Sequence, residues 1–193
     1  IISRTRNDTS RRFYLFKIAN RYYNMRAYKE YLSVTRRLIK DSQESTDTLS
    51  LAKAYGYMSD YYSIVSKVDS QYYYNYRAEK VFRFSHDYNN LKANLLYKAV
   101  LQHNQGDFLG CEKTVYEVLK LNKQSTDILT QYEANNQLGI VYGELEEFEL
   151  SHQYYDRALE IAESKSVDSD KQLTAITLNN IGFLFLNENK YEL

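Results

Sequence analysis

Apolar and polar positions return along this chain on two spacings at once. Within windows of about fifteen residues the apolar positions fall at i, i+3, i+4 and i+7, the signature of one helix face. Between windows the whole pattern recurs. The polar triplet Ser45-Thr46-Asp47 returns as Ser125-Thr126-Asp127, with Ser85-His86-Asp87 midway, and the flanking segments align with it. Units then begin near Arg12, Ala52, Lys92 and Tyr132, with a fifth near Ala175 after the triplet Asp168-Ser169-Asp170. The eighth position of each unit is small: Ala19, Ser59, Ala99, Gly139 and Gly182. The eleventh is Tyr22, Tyr62, Gln102, Tyr142 and Phe185, and the seventeenth Tyr28, Val68, Phe108, Phe148 and Tyr191. The seventh is Ile18, Met58, Lys98, Leu138 and Ile181, so Lys98 breaks an otherwise apolar set.

Positions 4, 7, 8 and 11 lie on one face at 100° per residue, and a small residue among bulky ones lets a second helix approach closely. After a break near positions 13–16 a second periodic segment follows, for example Phe148, Ser151, Tyr155, Ala158 and Leu159. Each unit therefore reads as a helix A, a tight turn and a helix B. The Asp that closes each triplet is expected to cap the first N–H groups of helix A, so the triplets at 45, 85, 125 and 168 mark helix entries.

The pattern resembles the tetratricopeptide repeat in a long-period form. Unit four carries it as Leu138-Gly139, Tyr142, Phe148, Tyr155 and Ala158, and unit one as Ile18-Ala19, Tyr22, Tyr28 and Leu38. The turn Gly106-Asp107-Phe108 adds to it in unit three. The period here is 40 where 34 is commonest. The family's terminal Pro is missing, with Gln43, Arg83, Lys123 and Glu163 in its place, and Asn135 stands where position 4 is usually bulky. The resemblance implies an all-α fold, a right-handed superhelical solenoid of antiparallel helix pairs. It implies a single array over residues 1–193, its last unit truncated, cut from a longer protein.

Composition changes this picture little. Proline is absent and glycine numbers six, which fits helices better than sheets. Cys111 is the only cysteine, so no internal disulfide can form, and its place at position 20 reads as packing. His86, His103 and His152 occupy different repeat positions, with no metal-ligand spacing and no phosphate loop or nucleophile motif. No enzyme activity and no cofactor is expected. No run of 18 apolar residues suggests a membrane span. Compartment and oligomeric state stay open.

Charge is uneven. Residues 1–40 hold eleven Lys/Arg against Asp8 and Glu30, giving +9, and the rest of the chain balances it at −9. A basic start suits nucleic acid or an acidic partner, but equally a solvated helix surface. The segment "QYYYNYRAEKVFRF" at 71–84 interleaves aromatics with Arg77, Lys80 and Arg83, yet its tyrosines have helix packing to do. Direct nucleic-acid binding is the alternative reading, and a disfavoured one.

The resemblance implies that the other face of each helix A, at positions 2, 5, 9, 12 and 13, lines a groove for a peptide or protein segment. Its candidate residues are Phe13, Phe16, Asn20, Tyr23 and Asn24 in unit one, and Lys53, Asp60 and Ile64 in unit two. Leu96, Val100, His103 and Asn104 follow in unit three, then Glu133, Asn136 and Ile140 in unit four. Phe13, Phe16 and Tyr23 are large aromatics on a face that the repeat core does not call for, which makes them candidate anchors. Packing on a further helix upstream accounts equally well for Phe13 and Phe16. A carboxylate clamp for chaperone tails, one known use of the family, is disfavoured: Asn20 matches it, but Phe16, Tyr57, Ala93 and Tyr97 stand where polar or basic residues belong. Similar arrays precede DNA-binding or kinase domains, so the resemblance points to the sensor or interaction region of a bacterial regulator or signalling protein.

Overall fold

The computed structural model describes residues 8–123, 125, 127–164 and 171–188. Among them lie nine helices and no strand: α1 (Asp8–Asn24), α2 (Tyr28–Glu44), α3 (Thr48–Ile64), α4 (Val68–Phe84), α5 (Tyr88–Asn104), α6 (Phe108–Asn122), α7 (Ile128–Glu144), α8 (Phe148–Glu163) and α9 (Lys171–Asn187). Odd-numbered helices are the A helices of the repeat and even-numbered ones the B helices. From α1 to α8 each helix starts 20 residues after the previous one. The backbone period is thus half the sequence period.

Turn chemistry explains the difference. Asp47 N–H donates to Ser42 O and Thr46 N–H to Gln43 O, at 3.0 and 3.3 Å. These are the two bonds of a Schellman motif, which needs its central residue in the left-handed region. The same bonds and the same conformation recur at Arg26, Ser66, His86, Gly106 and Glu146. Only Gly106 is the residue type such a turn favours. Both the A-to-B and the B-to-A turns are built this way, so glycine content gave no hint of them.

The side chains of the turns alternate where the backbone does not. Asp47, Asp87 and Asp127 accept backbone N–H groups of α3, α5 and α7, as the triplets suggested. Ala27, Lys67 and Glu147, which precede α2, α4 and α8, supply no side-chain cap. Asp107 is an added cap, holding Gly110 N at 2.9 Å at the start of α6. Only the Asp of each triplet caps. Ser45 closes α2, its hydroxyl donating to Asp41 O, and Thr46 sits at the left-handed position. The triplet at 168–170 lies outside the described residues.

The chain clusters into two compact units, divided between Asn94 and Leu95 inside α5. The first holds seventeen Lys/Arg against nine Asp/Glu, and the second eight against sixteen, so their charges are +8 and −8. In the first, α1 packs on α2, α2 on α3 and α3 on α4. In the second, α6 packs on α7, α7 on α8, and α9 on both α7 and α8.

Core residues of the first unit include Leu15, Ala19, Tyr31, Leu38 and Ala54, with Tyr22 and Val34 at the margin. In the second, Tyr132, Ala158 and Ala162 form a cluster against Ile161 and Leu173. The small eighth position works as the pattern implied. A Cβ on Gly139 would meet the Tyr155 ring at 2.6 Å, and Gly139 O accepts the Ser151 hydroxyl at 2.7 Å. Ser59 uses the same place to donate to Gln71 O. Positions 11 and 23 join the hairpins of units two to four: Tyr62 stacks on Tyr74, Tyr142 on Tyr154, and the Thr114 hydroxyl donates to Gln102. Cys111 is fully buried, accepts a weak hydrogen bond from Gln137, and has its thiol pushed up to about 11 by burial.

Three expected core residues depart from the pattern. Ile18, at position 7 of unit one, is exposed, whereas Met58, its counterpart in unit two, is buried on an α3 packed between α2 and α4. Leu178 and Phe185, at positions 4 and 11 of unit five, are exposed as well, and nothing stands within 4 Å of a Cβ on Gly182.

Position 1 of the A helices does unexpected work. Arg12 is buried and reaches the turn before α3, its guanidinium 2.8 Å from Asp47 Oδ2 and donating to Ser45 Oγ at 2.7 Å. Tyr132, the equivalent residue of α7, donates to Leu173 O on α9 at 3.0 Å. One A helix is thereby tied to the next. Burial alone would raise the Asp47 carboxyl, but Ser50 and Arg12 outweigh it and hold it below the usual aspartate range.

Candidate functional site

Each A helix turns one face to its B helix, so its remaining face is set by the same register. In the first unit that face joins α1 to α3. The Tyr57 hydroxyl donates to Asn20 Oδ1 at 2.6 Å, and Phe16 meets the Tyr57 ring edge-on at 5.2 Å. Tyr57 in turn stacks on buried Tyr31 at 5.8 Å, and Tyr31 meets Tyr23 at 5.5 Å. Burial raises the Tyr57 phenol above its ordinary value.

This chain of rings separates the three candidate anchors. Phe16 is half-buried, with its ring against Tyr57 of α3, whereas Tyr23 touches Tyr31 of α2 and stays 44% exposed. Phe13 is outside the chain of rings: it is 54% exposed, with Lys17 Nζ 4.5 Å from its centroid. Asn20, Asn24 and Lys53 are exposed, and Asp60 and Ile64 half-buried.

In the second unit, Val100 and Asn104 are exposed and His103 half-buried, while Leu96 is buried at 8% and offers no surface. Leu96 therefore belongs to the packing and not to a binding face. Glu133 is exposed, and Asn136 and Ile140 are half-buried. Asn136 Oδ1 accepts from Asn180 Nδ2 at 3.2 Å, linking α7 to α9 on this face. Just beyond that bond lies a shallow pocket of about 210 Å³, lined on α7 by Ile140, Gly143 and Glu144 and on α9 by Asn180, Phe183 and Asn187, with Tyr155 and Leu184 below. Positions 9, 12 and 13, read from the sequence, thus line a depression in unit four. The α9 side of it went unread, although Phe183 is position 9 of unit five. His103 Nε2 stands 4.0 Å from Glu144 Oε1 and makes no hydrogen bond.

Polar groups also gather away from this face. Tyr142 donates to Glu112 at 2.6 Å, and the Tyr116 hydroxyl lies 3.0 Å from that of Tyr142 and 2.8 Å from that of Tyr154. Burial, then these bonds, raise the Tyr142 phenol and push Tyr154 up to about 12. Such neutral, mutually satisfied phenols hold helices together. His152 meets Glu188 at 2.8 Å and packs against Phe185, fastening α9 to α8. Among the described residues no group of three or more His, Cys, Asp or Glu is placed to hold a metal ion. No described helix is long and apolar enough to cross a membrane.

No protein-family model matches the chain, and no curated protein sequence does. Solved structures do. BtubC (BKLC) from P. vanneervenii superposes with a TM-score of 0.80 at 16% identity, covering 92% of this chain and 73% of that one. A Podosopora anserina chain of nearly identical TPR-like repeats, assigned as a kinesin light chain, superposes with a TM-score of 0.71 at 10% identity, covering 95% and 89%. With the helix order, the paired turns and these two likenesses together, the fold is all-α and of the TPR-like repeat type.

Proposed function

We propose that this chain is a non-catalytic scaffold that binds a peptide or protein segment on the A-helix face. The observation that carries the reading is the depression between α7 and α9. Ile140 and Phe183, the latter 59% exposed, give it apolar walls, and Glu144 and the amides of Asn180 and Asn187 line it as well. Exposed aromatics beside fixed polar groups suit segment recognition. On this reading residues 1–193 form one repeat array, with Phe13 and Asn20 on the A-helix binding face of the first unit and Val100, Asn136 and Ile140 on that of the second. Selection from a random short-peptide library, followed by hydrogen exchange on the bound chain, tests it. Protection should concentrate on the exposed face of α7 and α9. Selection of no peptide, or protection confined to the B helices, overturns it.

A narrower form places the chain in a bacterial transcriptional regulator or signalling protein. Its support is the long-period, tyrosine-rich, proline-free repeat. A full-length gene without a DNA-binding or kinase segment refutes it. Direct nucleic-acid binding is not the reading favoured here. Arg11, Arg12, Arg37 and Lys40 of the basic start all lie within 4 Å of carboxylates, which weighs against a free cationic surface.

A further inference from the structure

The pocket between α7 and α9 has a chemistry more specific than apolar. Ile140 and Phe183 supply its apolar walls, and Asn180 and Asn187 supply amide groups on the α9 side. Glu144, the last residue of α7, stands at its edge with its side chain 48% exposed. The charged neighbour in reach is His103, 4.0 Å away, and an imidazole cancels a carboxylate only while protonated. The wider field has the same sign, since the unit that holds the pocket carries −8.

We propose that this pocket receives a basic side chain, arginine or lysine, of an extended peptide that also carries an adjoining apolar residue. Charge complementarity selects the occupant. A cationic group can lay its methylene stem along Ile140 and Phe183 while its head reaches Glu144 Oε1. Arginine suits the place better than lysine, because a planar guanidinium can stack on the Phe183 ring while donating to the carboxylate. An acidic peptide would bring its carboxylates against Glu144 in a field already negative. Asn180 and Asn187 can pair with the peptide's main chain, as each offers both a donor and an acceptor.

The proposal rests on the scaffold reading, and one experiment separates their failures. Peptides are selected from a random short-peptide library on the 193-residue chain, then sequenced. The expected outcome is enrichment of Arg or Lys next to aliphatic or aromatic residues. A synthetic copy of the most enriched peptide is titrated by fluorescence anisotropy beside a version with citrulline for arginine. Citrulline keeps the shape and removes the charge. It should weaken binding about three- to tenfold, the range for a partly exposed ion pair. Glu144→Gln should bring the same loss for the arginine peptide and none for the citrulline one, with unchanged circular dichroism. Enriched peptides that lack basic residues, or that bind Glu144→Gln as tightly, overturn the basic-peptide inference and leave the scaffold standing. No enrichment at all overturns both.

Discussion

Replacing two glycines with alanine should move stability in opposite directions. Both sit inside helices, Gly56 in α3 and Gly139 in α7. Alanine is favoured over glycine in a helix by about 1 kcal/mol. At Gly56 nothing stands within 4 Å of the new Cβ, so that gain should appear nearly whole. At Gly139 the Cβ meets three carbons of the Tyr155 ring, at 2.6, 2.6 and 2.9 Å. Carbon pairs settle at about 3.5–4.0 Å, so the ring must retreat by about 1 Å. Tyr155 is only 4% exposed, and the room for retreat is small. Overpacking of this kind costs about 1–3 kcal/mol, and the rigid ring argues for the upper end. Gly139→Ala should then lose about 2 kcal/mol net, and Gly56→Ala gain about 1. In a chain of this size that separates the two melting temperatures by about 6–12 °C, read by circular dichroism. In a Tyr155→Leu background the Gly139→Ala penalty should shrink, because the two sites share one contact. Equal melting temperatures for the two variants, or a penalty that persists without the ring, would refute the account of the small eighth position.

Further outcomes follow from the polar contacts. Arg12→Ala should destabilise the chain by about 1.5–3 kcal/mol, the worth of hydrogen bonds to a charged group, measured by urea unfolding. It should also reduce the acid sensitivity that Asp47 confers, with the Ser50 hydrogen bonds keeping the rest. The Asp47 carboxyl is held below 3.8 in the folded chain, so its contribution is present above that pH and is lost as the pH falls through the folded value. Tyr142→Phe deletes the donor to Glu112 and should cost about 1 kcal/mol. The raised phenols of Tyr142, Tyr154 and Tyr155 act with the opposite sign. Their stabilisation is complete below 10.0 and declines as the pH rises toward their folded values, and an alkaline unfolding series reads that loss. Thr46→Gly should stabilise by about 1 kcal/mol, because a β-branched residue there occupies a left-handed conformation that glycine adopts freely.

The sequence by itself determined the helices, their pairing and their register. Small residues at position 8 and aromatics at positions 11 and 17 repeat because each hairpin must solve the same packing problem, and Asp47, Asp87 and Asp127 repeat because each A helix begins with free N–H groups. The 20-residue backbone period stayed hidden because it is carried by main-chain hydrogen bonds that Arg26, Ser66 and Glu146 make as well as Gly106 does. Tertiary structure alone decided what the second face of the A helices can do. Phe16 looks free in a helical projection, but a projection of one helix omits the Tyr57 ring that α3 lays against it. Leu96 fails for the same reason: its position on the helix is right, and its neighbours bury it. The pocket at Glu144 needed both α7 and α9, whose lining residues lie about 40 positions apart in sequence and are joined through Asn136 and Asn180. Periodicity reports what one helix offers, and a binding surface is made only where two of them meet.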